Sequence, residues 1–190
     1  MIISCNRQEL QSAVSNVSRA VSSKSSIPAL EGILLKTENQ QLFLCGYDLE
    51  LGITTSIAAH VSEPGEVIFS AKLFSDIIRS LPEGDISISV DDKLLAVIRG
   101  GETEFKIIGI ASSEYPELPS VSEQEAVSVP QSMLKGMIRQ TIFAVATNDS
   151  KPVHMGTLFE IGGGIIRLVA VDGYRLAMRT EQADCNSSEE

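Results

Sequence analysis

Arg7-Gln8-Glu9-Leu10-Gln11-Ser12-Ala13-Val14-Ser15-Asn16-Val17 and Gln131-Ser132-Met133-Leu134-Lys135-Gly136-Met137-Ile138-Arg139-Gln140-Thr141 are the stretches that decide the fold. In the first, Leu10, Ala13, Val14 and Val17, with Val21 beyond, recur at helical spacing. The other face, Gln8, Gln11, Ser12, Ser15, Asn16 and Arg19, is small and polar. Asn6 is placed to cap this helix, with Glu9 as its capping-box partner. The second stretch keeps the apolar face as Leu134, Met137, Ile138, Thr141 and Val145. A single shift of 124 residues also superposes Ser4 on Ser128, Pro28 on Pro152, Gly32 on Gly156, Leu44 on Leu168 and Asp48 on Asp172. Matching Pro, Gly and Asp sites together with matching periodicity mark an internal duplication, which governs the architecture.

Outward from the first helix, Ser22 to Pro28 interrupts helical periodicity. Strand patterns follow at 30–37, 41–46, 51–61 and 65–70, with a turn at Glu38-Asn39-Gln40. A second helix reads over 72–81, where Leu73, Phe74, Ile77, Ile78 and Leu81 are apolar and Pro82-Glu83-Gly84-Asp85 stops it. Strands resume at Ile86–Val90, 93–98 and 102–110. The proline- and glutamate-containing stretch Ser112 to Glu125 reads as a linker before the pattern restarts.

Of the 190 residues, 43% are hydrophobic and 21% charged, enough to build a packed core. The longest apolar runs are strand-sized, and Met1 to Arg7 lacks the pattern of a signal peptide, so a cytoplasmic protein is expected. Cys5, Cys45 and Cys185 are widely spaced with no CxxC pair, which favours buried thiols over disulfides or zinc. The net charge of −10 argues against polyanions, but its distribution is uneven. Ala126 to Asn148 contains no acid and carries Lys135 and Arg139, while Arg7, Arg19 and Lys24 flank the first helix. From charge alone these read as ordinary solvated faces, because five bases over two helices form a weak patch.

No catalytic signature accompanies these elements. His60 and His154 lie far apart and lack partners at ligand spacing, so neither a metal nor a general base is expected. Gly162-Gly163-Gly164 lies between strand patterns and reads as a hairpin turn rather than a phosphate cradle. Asp48 and Asp172, each after an apolar strand, read as turn residues in both copies. The scarcity of aromatics on the helix faces disfavours single-strand binding by base stacking.

Several strings carry a resemblance. Gly46-Tyr47-Asp48-Leu49-Glu50, Lys72-Leu73-Phe74 leading to Leu81-Pro82-Glu83-Gly84, and Glu114-Tyr115-Pro116-Glu117-Leu118 recur in order. With Gly156-Thr157-Leu158-Phe159-Glu160 and Val169-Ala170-Val171-Asp172-Gly173-Tyr174-Arg175-Leu176-Ala177, they resemble the bacterial DNA sliding clamp, the beta subunit of DNA polymerase III. The resemblance runs from Met1 to about Thr180. It implies an α+β fold built from a repeated clamp module, with helices on one face, the pore side, of antiparallel sheets. A first domain is expected over 1–122 and the N-terminal half of a second over 125–190, with a third absent.

The resemblance also implies a non-enzymatic processivity factor that encircles duplex DNA as a head-to-tail ring and needs no cofactor. Implied partners are duplex DNA of any sequence, the polymerase catalytic subunit, the clamp loader, repair polymerases and other motif-bearing proteins, and a second subunit at full length. By position, Lys24 and Asn148 match DNA-contacting loop residues, with Lys135, Arg139 and Arg79 added as helix bases. Lys72, Phe105 and Ile107 match the subunit edge. Val171, Gly173, Tyr174, Arg175 and Leu176 match the wall of a pocket for partner peptides, and His154 falls there in place of an apolar residue. The chain is expected to be a fragment that cannot close a ring alone. The alternative is a repeat-built module that binds peptide motifs without encircling DNA.

Overall fold

The computed structural model describes residues 1–119, 127–148 and 151–183. Its contacts divide the chain into two units, Met1–Pro119 and Ser120–Glu190. In the first, strand β1 (Ile2–Asn6) runs directly into helix α1 (Arg7–Val17). The Asn6 side chain accepts from the N–H groups of Gln8 and Glu9 at 3.0 and 3.3 Å, satisfying two donors the helix leaves open. The periodic residues Leu10, Ala13, Val14 and Val17 are all buried, and a 3-10 turn, Ser18–Ala20, ends the segment.

Two antiparallel sheets complete this unit. One has the order β4 (Gly52–Ala58), β3 (Gln41–Tyr47), β2 (Gly32–Glu38), β6 (Glu66–Ser70). The other has the order β5 (His60–Glu63), β1, β7 (Asp85–Val90), β8 (Leu95–Gly100), β9 (Thr103–Ile108). Strand β6 leads into helix α2 (Ala71–Ser80) yet pairs with β2, and β1 leads into α1 yet pairs with β7. The two halves of the unit thus exchange their first strands. A single core lies between both helices and the inner faces of both sheets, including Leu10, Leu35, Leu44, Phe74, Ile78 and Ile98. At its centre the Phe69 and Phe74 rings lie 5.1 Å apart at 33°, within the range of attractive aromatic pairs.

Expectations change at the strand crossing and at the linker. The strand read over 51–61 is two strands in different sheets, divided at the buried Ala59. Alternation persists through the crossing, so periodicity cannot reveal it. What marks it is Gln40, whose carboxamide brackets the Val61 backbone, donating to its carbonyl and accepting from its N–H. The stretch read as linker from Ser112 begins as part of the first unit. Tyr115 is buried, and its hydroxyl donates to the Cys45 carbonyl at 3.2 Å. Residues 120–126 and Cys185 fall outside the described residues.

The second unit holds helix α3 (Gln131–Thr141) and a sheet of order β10 (Leu158–Gly162), β11 (Ile165–Val171), β12 (Leu176–Gln182). Adding 124 to the bounds of α1, β3 and β4 gives those of α3, β11 and β12 without remainder. The hairpin residues Asn39 and Gln40, with φ of 48° and 60°, correspond to Gly163 and Gly164, at 57° and 76°. Both are two-residue turns with positive φ at each position, the geometry that follows strand twist. Met137 and Thr141 are buried as expected, but Ile138 is exposed. Its counterpart Val14 is buried where α1 packs in a core shared with α2, whereas α3 is the one α-helix among the described residues of its unit.

Candidate functional site

The turn after β11 is set by one carboxylate. Asp172 accepts from the N–H groups of Tyr174 and Arg175, both at 3.0 Å, and its own N–H donates to the Arg175 carbonyl. These bonds, first from Tyr174 and then from Arg175, hold its carboxyl below the usual range. Asp48 makes the same turn in the first unit, accepting from Glu50 and Leu51 at 3.0 and 2.7 Å. The residue after each aspartate has positive φ, 78° at Leu49 and 93° at Gly173. Both aspartates are therefore turn residues. Paired acceptance of backbone donors also explains why they recur at the same offset.

This turn displays the expected pocket residues. Val171 pairs with Leu176 across it. Tyr174 is 100% exposed and Leu176 65%. The Arg175 guanidinium lies 2.8 Å from the Asp172 carboxylate and 5.8 Å above the Phe143 ring, a cation–π arrangement that orients it. Phe143 carried no sequence signal, since only the tertiary fold brings it under Arg175.

His154 lies on a 3-10 turn, Pro152–Met155. Its N–H donates to the Lys151 carbonyl and its own carbonyl accepts from Ala146, both at 2.9 Å. The first unit repeats both bonds 124 residues earlier, from Leu30 to Ile27 and from Ser22 to Leu30. His154 thus stands where Leu30 joins a buried cluster with Cys45, Tyr47 and Tyr115.

The helix faces and loops behave differently. On α1, Gln8, Ser12, Ser15, Asn16 and nearby Arg19 are exposed, as are Lys135 and Arg139 on α3. Lys24 and Asn148 are exposed at equivalent positions, 124 apart, in the loops after the helices. Arg7 is turned toward α2 instead: its half-buried guanidinium donates to the carbonyls of Ile78 and Arg79 at 3.1 and 2.8 Å, stabilising the C-terminus of α2. Arg79 also pairs with Asp76 at 3.5 Å and lines a cleft with Lys72, Ser18 and Ser22.

Strand β9 is the edge of its sheet among the described residues. Ile107 is buried in the unit's own core and Phe105 packs against it. Outward-facing Glu104 is paired with Arg99 at 2.7 Å and Lys106 at 3.3 Å, and Ile108 is 77% exposed. Of the expected edge residues, Phe105 and Ile107 therefore support the strand, whose outer face belongs to their neighbours, while Lys72 lies on α2.

Cys5 and Cys45 are buried, and burial pushes the Cys5 thiol up to about 12. Among the described residues no three His, Cys, Asp or Glu side chains lie close enough to hold a metal. No helix among them is long and apolar enough to cross a membrane.

Comparison with known proteins places both units. Residues 1–119 match the family model of the DNA polymerase III beta subunit, N-terminal domain, and residues 128–190 that of its central domain. The chain is 39% identical over 184 residues to the beta sliding clamp of Halalkalibacterium halodurans, covering 93% of this chain and 48% of that protein. It is 32% identical to the clamp of Bacillus subtilis, covering 97% of this chain and 51% of that protein. The crystal structure of the Bacillus subtilis clamp superposes with a TM-score of 0.92, at 32% identity, over 97% of this chain and 50% of that one. A Pseudomonas aeruginosa sliding clamp bound to griselimycin gives 0.91 and 32%, over 98% and 51%. The chain spans about half the length of these relatives.

Proposed function

The chain belongs to the DNA polymerase III beta subunit family, and we propose that it acts within a DNA sliding clamp, a processivity factor that surrounds duplex DNA as a head-to-tail ring. The observation that carries this reading is the recurrence, at one offset, of helices with small, polar outer faces, with the bases Lys135 and Arg139 on α3 and Arg19 just past α1. Lys24, Asn148, Lys135, Arg139 and Arg79 would meet phosphates weakly and without reading sequence. Such contacts position a duplex and still let it slide. Retention then comes from closure of the ring, not from affinity.

In this reading the clamp is a tether without chemistry of its own, and neither cofactor nor metal is required. It holds a polymerase near the primer end and raises its effective concentration there. The cell's cytoplasm is its place of action. The wall formed by Val171, Gly173, Tyr174, Arg175, Leu176 and His154 would receive peptides from the polymerase, the clamp loader and repair polymerases. Edge strand β9, supported by Phe105 and Ile107, would pair with a neighbouring subunit, with Lys72 in an ion pair. The first module spans 1–122, and 125–190 begins the second.

The test is retention on circular DNA by the protein at its natural length. We expect it to stay on nicked circular duplex after loading and to slip off when the circle is linearised. Peptide binding without any salt-dependent DNA association would instead favour an interaction module that does not encircle DNA.

A further inference from the structure

The loop after α1 reads by composition as a flexible one. Val21-Ser22-Ser23-Lys24-Ser25-Ser26-Ile27 sets four serines around its single base, and serine-rich chain is mobile unless something holds it. The structure holds it at the peptide bond between Lys24 and Ser25. The Ser22 hydroxyl donates to the Lys24 carbonyl at 2.8 Å, and the Ser25 N–H donates to the Glu31 carboxylate at 3.0 Å. The Ser25 hydroxyl in turn accepts from the Ile27 N–H at 3.1 Å. Both polar groups of one peptide unit are thus taken up by side chains, and the charged acceptor makes the stronger of the two bonds.

Closing the loop does not require these side chains. The backbone does that in both units, from the Ser22 N–H to the Leu30 carbonyl and from the Ala146 N–H to the His154 carbonyl. In the second unit Ala146 and Met155 occupy the positions of Ser22 and Glu31, 124 residues on, and neither side chain can make the equivalent bond. Ser22 and Glu31 are therefore additions to the loop that carries Lys24. Glu31 engages the backbone and not the ammonium. Lys24 is exposed, and among the described residues it stands in no ion pair.

We propose that Ser22 and Glu31 are positioning residues for Lys24, holding its backbone so that the ammonium meets duplex phosphate from an already ordered loop. This rests on the reading of Lys24 as a phosphate contact. A lysine on an unheld serine loop would lose loop freedom on binding, and ordering the loop in advance removes part of that cost. An acid thereby favours binding of a polyanion, opposite in sign to its own Coulomb effect. Repulsion between an exposed carboxylate and phosphate is screened by water and salt, whereas the hold on the loop is local.

The test is association of the natural-length protein with a short fluorescein-labelled duplex, followed by anisotropy over a series of salt concentrations. We expect Glu31→Ala to weaken association severalfold although it removes a negative charge, and Ser22→Ala to weaken it similarly. Glu31→Gln, whose side-chain oxygen still accepts from Ser25, should bind at least as tightly as the parent. In a Lys24→Ala background, Glu31→Ala should have no weakening effect. Amide exchange at Ser25 should quicken in Glu31→Ala while the melting temperature holds, because both positions are exposed or half-buried. Equal or tighter binding by Glu31→Ala would overturn the proposal. So would weakening that persists in the Lys24→Ala background, the mark of a merely structural role. If Lys24→Ala alone changes neither affinity nor salt dependence, the phosphate-contact reading falls and takes the proposal with it. A drop of about one in the salt slope for Lys24→Ala, with no effect of Glu31→Ala, strikes the proposal alone.

Discussion

Gly46 and Ala170 hold the same repeat position with different demands. A Cβ on Gly46 would meet the Val17 carbonyl oxygen at 2.1 Å, whereas Ala170 already carries its methyl in a buried cluster with Ala144 and Ala177. Gly46→Ala should therefore destabilise the first unit by about 1–3 kcal/mol, the usual penalty of overpacking. Ala170→Gly should cost the second less than about 1 kcal/mol. Thermal unfolding of both variants checks the pair, and equal losses would contradict the contact. Asp172 gives a pH prediction. Its folded carboxyl is depressed by the Tyr174 and Arg175 amides, so its support of the turn is complete above the unfolded value. That support is lost as pH falls through the folded one. Amide NMR of Tyr174 and Arg175 should titrate with a midpoint below about 3.9, the ordinary aspartate value.

Among elements, the helices were the most legible and the sheet boundaries the least. Asn6 caps α1 as its position predicts, so Asn6→Ala should cost about 1 kcal/mol in chemical denaturation. Phe74 on α2 is wholly buried against Phe69; Phe74→Ala should lose about 3–5 kcal/mol, enough to threaten the unit's fold. The turn before β8 shows why strand limits escape a sequence reading. Asp91 accepts from Lys93 and Leu95 and Leu94 has a φ of 62°, so the strand begins at Leu95 and not at Lys93. Apolar character at Leu94 suits a strand or a turn equally; the carboxylate decides. The strap at Tyr115 was likewise hidden, because a Pro- and Glu-containing stretch looks like linker until the sheet it covers is known.

At the scale of the molecule, the first unit has its own core and its own cover. Residues Met1–Pro119 expressed alone should unfold in one cooperative transition, as small single domains do. A broad melt would show that the core depends on the rest of the chain. The proposed DNA contacts make a second forecast. Reversing Lys135 and Arg139 to glutamate should weaken DNA association uniformly across sequences and lower its salt dependence. A change in sequence preference would be the wrong signature.

The repeat, the helices with their apolar and polar faces, the hairpin turns and the absence of a catalytic motif were all determined by the sequence alone. These follow from local periodicity and turn chemistry, which act between near neighbours. The tertiary structure decided which strands changed sheets at Ala59, that Arg7 serves the end of α2, and that Ile107 faces its own core. It also decided that the sheet face at Cys45 is covered by Tyr115. Each of these depends on partners distant in the chain, and no local pattern encodes which distant surface a side chain will meet.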